Sequence, residues 1–238
     1  MTRHPLPVIV GFMIKGSIVE YIDQQKIICA VVLQETKGKL RLLNENNREV
    51  NFSEKRLSHM SQVCLDAGQA RDSIASKLKQ LTHNRKKLSE TIDIKELWEI
   101  LNEESEDIDL STMTLFCFDP PLTADHEAAV IRAFFKDRLY FKFNKKVFFP
   151  NTPDQVKTRE KQLKEEAKKE ILIQKGAAWI NNVLNNKNGS IAAIDQKIIN
   201  ILKSYYLFNN DSDTYLIARN IIKRSPLNSP EQLFNVFV

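Results

Sequence analysis

Between Lys15 and Leu57 the chain alternates short apolar runs with turn-type residues: "GSIVEYI", "KIICAVVLQ", "GKLRLLN" and "REVNFS" are separated by "DQQ", "ETKG" and "ENN". Connections this short join antiparallel neighbours, so the runs pair as hairpins. Four or five strands within about 45 residues are too few for a large sandwich, but they can close as a small, highly curved barrel. Its core candidates are Ile18, Val19, Ile27, Ile28, Val31, Leu33, Leu40, Leu42 and Val50.

The period then changes. From Asp66 to Ser89, Ile74, Leu78, Leu81 and Leu88 recur near helical spacing, which predicts an amphipathic helix. Next come "TIDIKELWEILNEE", "DLSTMTLFCF" and "TADHEAAVIRAFFKD", and after them "DRLYFKFNKKVFFP" returns to period two. Three short helices followed by a two-stranded ribbon is the order of a winged helix-turn-helix. Thr91 or Asp93 caps the first helix and Thr123 the third, where Asp125 and Glu127 suit the positive N-terminal end. In the ribbon Leu139, Phe141 and Phe143 fall on one side and Tyr140 and Lys142 on the other, with "NKK" as the turn.

A long, charged helix is predicted from Pro153 to about Asn186, followed by helices near Ser190 to Tyr206, near Asp213 to Lys223 and from Ser229. The last of these has little room before Val238, so either the natural polypeptide continues or a short docking helix ends it. The expected fold class is α+β and helix-rich: a small SH3-like or OB-like β-barrel over 1–62, a connecting helix over 63–90, a winged helix-turn-helix over 91–152, and a C-terminal helical segment over 153–238. A length of 238 residues accords with two or three small domains.

Composition narrows the function classes. The net charge of +5 admits polyanions without demanding them, and its distribution says more. Arg71 to Lys87 and Lys136 to Lys146 are basic, whereas Asp93 to Asp109 carries eight acidic residues against the single Lys95. Cys29, Cys64 and Cys117 are odd in number and far apart, which supports neither a disulfide framework nor a zinc site. "PVIVGFMI" is too short to span a bilayer, and a cytoplasmic protein is expected.

Catalytic signatures are missing from 1–238: there is no Gly-rich phosphate loop, no GxSxG elbow and no HExxH. His126 is read as a surface residue in preference to a nucleic-acid contact, and "NEESEDID" as a solvated loop in preference to a metal site. The basic ribbon offers more. Arg132, Lys136, Arg138, Lys142, Lys145 and Lys146 can neutralise phosphates, with Tyr140 or Phe148 stacking on a base. The phenylalanines are read as core first. Arg41, Arg48, Lys55 and Arg56 offer a second phosphate-binding surface on the barrel.

The strings "GSIVEYIDQQKIICAVVLQETKGKLRLLNENNREVNFSEKRL", "IDIKELWEILNEE" and "HEAAVIRAFFKDRLYFKFN" resemble the N-terminal region of bacterial exoribonucleases of the ribonuclease II and ribonuclease R (RNB) family. That resemblance implies a role in capturing or guiding single-stranded RNA for a 3′-to-5′ exoribonuclease. The family's magnesium belongs to a catalytic domain whose clustered aspartates are not found here, so the resemblance implies no cofactor and no catalytic residue within this chain. Two rivals stand beside it: a winged-helix module that docks a protein, and a DNA-binding regulator, against which the weakly basic third helix speaks.

Overall fold

The structure, a computed structural model, describes residues 15–103, 107–144, 147–185, 195–227 and 229–237. The chain divides into two compact units between Val156 and Lys157. The first opens with five antiparallel strands, β1 (Ser17–Asp23), β2 (Lys26–Thr36), β3 (Lys39–Asn44), β4 (Glu49–Ser53) and β5 (Leu57–Cys64), in the order β4-β3-β2-β1-β5. A 3-10 turn over Glu54–Arg56 leads into β5, which returns to pair with β1 and not with β4, the strand order of an SH3-like barrel. β5 is hard to read from sequence because its fully buried positions are Ser58, His59 and Ser61, not apolar residues.

Two-residue turns join β1 to β2 and β2 to β3. Gln24 and Gln25 (φ 45° and 62°) form the first and Lys37 and Gly38 (φ 52° and 74°) the second, all left-handed as the twist of a tight hairpin requires. Both faces of the sheet are covered. Val19, Tyr21, Ala30, Val32, Leu40 and Leu42 pack on one side. On the other, Ile18, Cys29, Val31 and Leu43 meet Ile74 and Leu78 of α1 (Arg71–Glu90). Double burial is why "CAVVL" reads as a continuous apolar run. The α1 helix starts at Arg71, later than Asp66, because Asp66 accepts the Gly68 N–H at 2.9 Å in a turn ahead of it.

The winged helix follows in the same unit: α2 (Ile94–Leu101), β6 (Ile108–Asp109), α3 (Leu110–Cys117), α4 (Ala124–Lys136), β7 (Phe141–Asn144) and β8 (Val147–Pro150), with sheet order β6-β8-β7. Asp93, Asp109 and Thr123 cap α2, α3 and α4. His126 completes the cap of α4, its Nδ1 accepting the Thr123 N–H at 3.3 Å, and stacks on Phe118 with ring centroids 4.5 Å apart. In the core Phe134 meets Phe141 and Phe148 edge-on, with centroids 5.0 and 4.7 Å away. The two-residue β6 is too short to leave an alternation in the sequence.

The α5 helix (Pro153–Asn185) carries the chain into the second unit, followed by α6 (Gln196–Phe208), α7 (Tyr215–Lys223), a 3-10 turn over Pro230–Leu233 and α8 (Phe234–Phe237). Ile180, Ile198, Leu202, Ile221 and Leu233 anchor its core. Gly176 lets α5 meet α7 closely, since a Cβ there would stand 2.8 Å from Ile221 Cδ1. Earlier in α5 the surface is solvated and laced with pairs such as Lys164–Glu160 at 2.9 Å. Among the described residues no helix is long and apolar enough to cross a membrane.

Candidate nucleic-acid interface

In a winged helix the third helix is the one expected to enter a groove, and here that helix is enclosed. Asp125, Ala128, Ala129 and Arg132 of α4 recur at i, i+3, i+4 and i+7, forming a stripe toward α1 and the barrel. Ala128 and Ala129 are fully buried. Val130 and Phe134, on the opposite side, belong to the winged-helix core. A helix covered on two sides has no free face for a duplex.

The covering is held by charge. On β1 the fully buried Glu20 accepts from Arg132 through Nη2 at 2.7 Å and Nε at 3.2 Å, and from Arg85 Nη1 at 2.8 Å, all on Oε1. Arg85 Nε also donates to Asp125 Oδ1 at 2.7 Å. Burial works against the charge on Arg85, but Glu20, with Asp125, more than offsets it, so its pKa is raised. Alongside, His59 Nε2 on β5 lies 3.2 Å from Glu127 Oε2. Arg132, expected among the phosphate contacts, is therefore a buried partner of Glu20.

The remaining candidates on this side are spread along α4 and the ribbon. Lys136 is exposed in the last turn of α4, and Arg138 and Lys142 are exposed beyond it. Tyr140 is half-buried, its ring centroid 5.4 Å from that of Trp98, whose Nε1 donates to the Asn151 carbonyl at 2.6 Å. Phe148, the other stacking candidate, is fully buried and is removed from that role. Lys145 and Lys146 lie outside the described residues.

The barrel gathers its candidates more tightly. Along β3, Lys39 and Arg41 project to one side, opposite Ser53 and Asn51 of β4. With Gln34, Thr36 and Phe52 they line a groove of about 570 Å3. Arg56 sits over the Phe52 ring, 4.7 Å from its centroid. Arg41 Nε also lies 3.5 Å from Glu49 Oε2, while Arg71 reaches the other oxygen of that carboxylate at 3.1 Å. Arg48 and Lys55 are exposed in the adjoining turns. The structure thus places Arg41 in the groove and Arg56 over the Phe52 ring, and adds Lys39, whose alternation with Arg41 in "GKLRLLN" was the available signal. Among the described residues no three His, Cys, Asp or Glu side chains gather as metal ligands do.

Against this geometry stand the comparisons with known proteins. Residues 156–238 match the family model of a double helix-turn-helix (HTH) domain of the type found in ribonuclease II. No curated protein gives a match. The matched stretch coincides with the second unit, where the sequence predicts a long helix and three shorter ones but no helix-turn-helix pairing. The helices themselves were legible there, but their pairing into helix-turn-helix motifs depends on packing angles that spacing does not encode.

Proposed function

We propose that this chain binds single-stranded RNA and guides it on behalf of a catalytic domain of ribonuclease II type. The observation that carries the reading is the double helix-turn-helix match over residues 156–238, since helix-turn-helix domains bind nucleic acid. Two features of the first unit support it. The enclosed α4 disfavours duplex reading, while the groove of Lys39, Arg41, Gln34 and Asn51 gathers cations and amide groups, as phosphate-led, sequence-tolerant strand binding requires. The exposed Arg138 and Lys142 add cations on the ribbon side.

Titration of a labelled single-stranded RNA at two salt concentrations tests the reading. Binding that weakens with salt is expected, and replacing Lys39, Arg41, Arg56 and Lys142 by Gln flattens the slope by about 0.7 for each phosphate contact removed. No binding at low salt would sink it. A protein-docking role is the second reading, favoured by the exposure of Leu207, Phe208 and Leu216 in the second unit. RNA binding unchanged in the Gln variant, together with a stable protein partner lost on Leu207→Ser and Phe208→Ser, would favour that role.

A further inference from the structure

A second concavity, of about 370 Å3, opens where the β1–β2 hairpin, the end of α1 and the end of α4 meet. Gln25, Lys26 and Ile27 line it from the hairpin, Lys86 and Ser89 from α1, and Arg132, Phe135 and Lys136 from α4. Lys26, Lys86 and Lys136 are exposed, Phe135 and Ile27 are half-buried, and Arg132 is buried. We propose that this pocket binds the phosphate of a nucleotide, with the three lysines as its cationic ligands and Phe135 and Ile27 as the apolar wall for ribose or base.

The charge balance favours an anion. The arginines beneath are neutralised from within, Arg132 and Arg85 by Glu20 and Arg85 also by Asp125. The carboxylates facing the three lysines are weaker partners. Asp23 stands across the hairpin from Lys26, and Glu90 lies 3.8 Å from Lys86, an exposed pair one turn apart. Asp137, beside Lys136, is engaged elsewhere, accepting the backbone N–H groups of Leu139, Tyr140 and Phe141 at 2.7–3.2 Å. Three lysines from three elements therefore line one concavity with little opposing charge, which a phosphate would supply. The volume lies near the lower end for small-ligand clefts, which suits one nucleotide.

The natural source of that phosphate rests on the RNA reading above, and the test separates the two claims. Calorimetric titration of the whole chain uses 5′-AMP, adenosine, inorganic phosphate and an oligoadenylate as probes. AMP and the oligonucleotide should bind and adenosine should not, and replacing Lys26, Lys86 and Lys136 together by Gln should weaken AMP binding by about tenfold or more, with unchanged circular dichroism. Equal binding of AMP and adenosine, or AMP affinity unaltered in the triple variant, would overturn the pocket. Oligoadenylate bound without AMP or phosphate would likewise remove the pocket and leave the RNA role standing. AMP bound while the oligonucleotide is ignored would keep the pocket and remove the RNA role.

Discussion

Arg132, on the helix that a winged helix ordinarily presents to a duplex, closes instead on Glu20 in the first strand of the barrel, with Nη2 2.7 Å from Oε1. Arg85 reaches the same oxygen from α1, so one carboxylate ties the barrel, the connecting helix and the winged helix together. The geometry that removes α4 from duplex recognition is also the one that makes the first unit cohere.

Neutralising the carboxylate leaves two buried guanidinium groups without their shared counter-charge. Glu20→Gln should therefore cost about 3–5 kcal/mol in urea unfolding. A cost below about 1 kcal/mol would mean that water reaches the node. Replacing Glu20, Arg85 and Arg132 together by Leu should recover much of the loss, because no charge is then buried alone.

The three thiols should separate by environment. Burial first, and then Glu20, pushes Cys29 up to about 12, and burial pushes Cys117 up to about 12, whereas Cys64 is exposed. Reaction with a thiol-specific disulfide reagent near neutral pH should modify Cys64 quickly, the partly buried Cys117 more slowly and the buried Cys29 only on unfolding. A raised folded-state pKa gives stability that is complete below the unfolded thiol range and lost as pH rises through it toward 12, so alkaline unfolding should shift to higher pH in Cys29→Ala. Equal rates at all three thiols would contradict the burial order.

Asp137 binds three successive backbone N–H groups where α4 turns into the ribbon. Asp137→Ala should cost about 1–3 kcal/mol, and hydrogen exchange should accelerate first at Tyr140 and Phe141. Exchange that accelerates evenly across the unit would argue against a local anchor.

In the second unit Gly176→Val should cost about 1–3 kcal/mol, because its side chain must displace Ile221. Pairing it with Ile221→Ala should restore part of that loss. If the two costs simply add, the α5–α7 contact does not depend on that close approach.

The elements of this chain were legible where periodicity is strong. Short apolar runs between turn residues, "GSIVEYI" and "GKLRLLN", mark β1 and β3, and Ile74, Leu78 and Leu81 mark α1. β5 and β6 were not legible, one because polar side chains fill its buried face and the other because two residues carry no period. Among the site candidates, exposed lysines such as Lys136 and Lys142 could be picked out by charge, but the pocket that adds Lys26 and Lys86 to Lys136 joins three separate elements.

The central ion cluster shows where local reading ends. Arg85 follows Leu78 by seven residues on the buried stripe of α1, Arg132 lies within "VIRAFF", and Glu20 lies within "SIVEYI". Each can be recognised in the sequence as a charge in an apolar setting, and such a charge persists in a core only when another neutralises it. The partners stand 65 and 112 positions from Glu20 and arrive only when the barrel, α1 and α4 pack together. Hydrophobic periodicity is a property of neighbouring residues, so the sequence by itself determined the strands and helices that carry one, β5 and β6 excepted. The pairing of buried charges is a property of distant ones, so only the tertiary structure decided that Arg132 serves the core and that three lysines meet beside it.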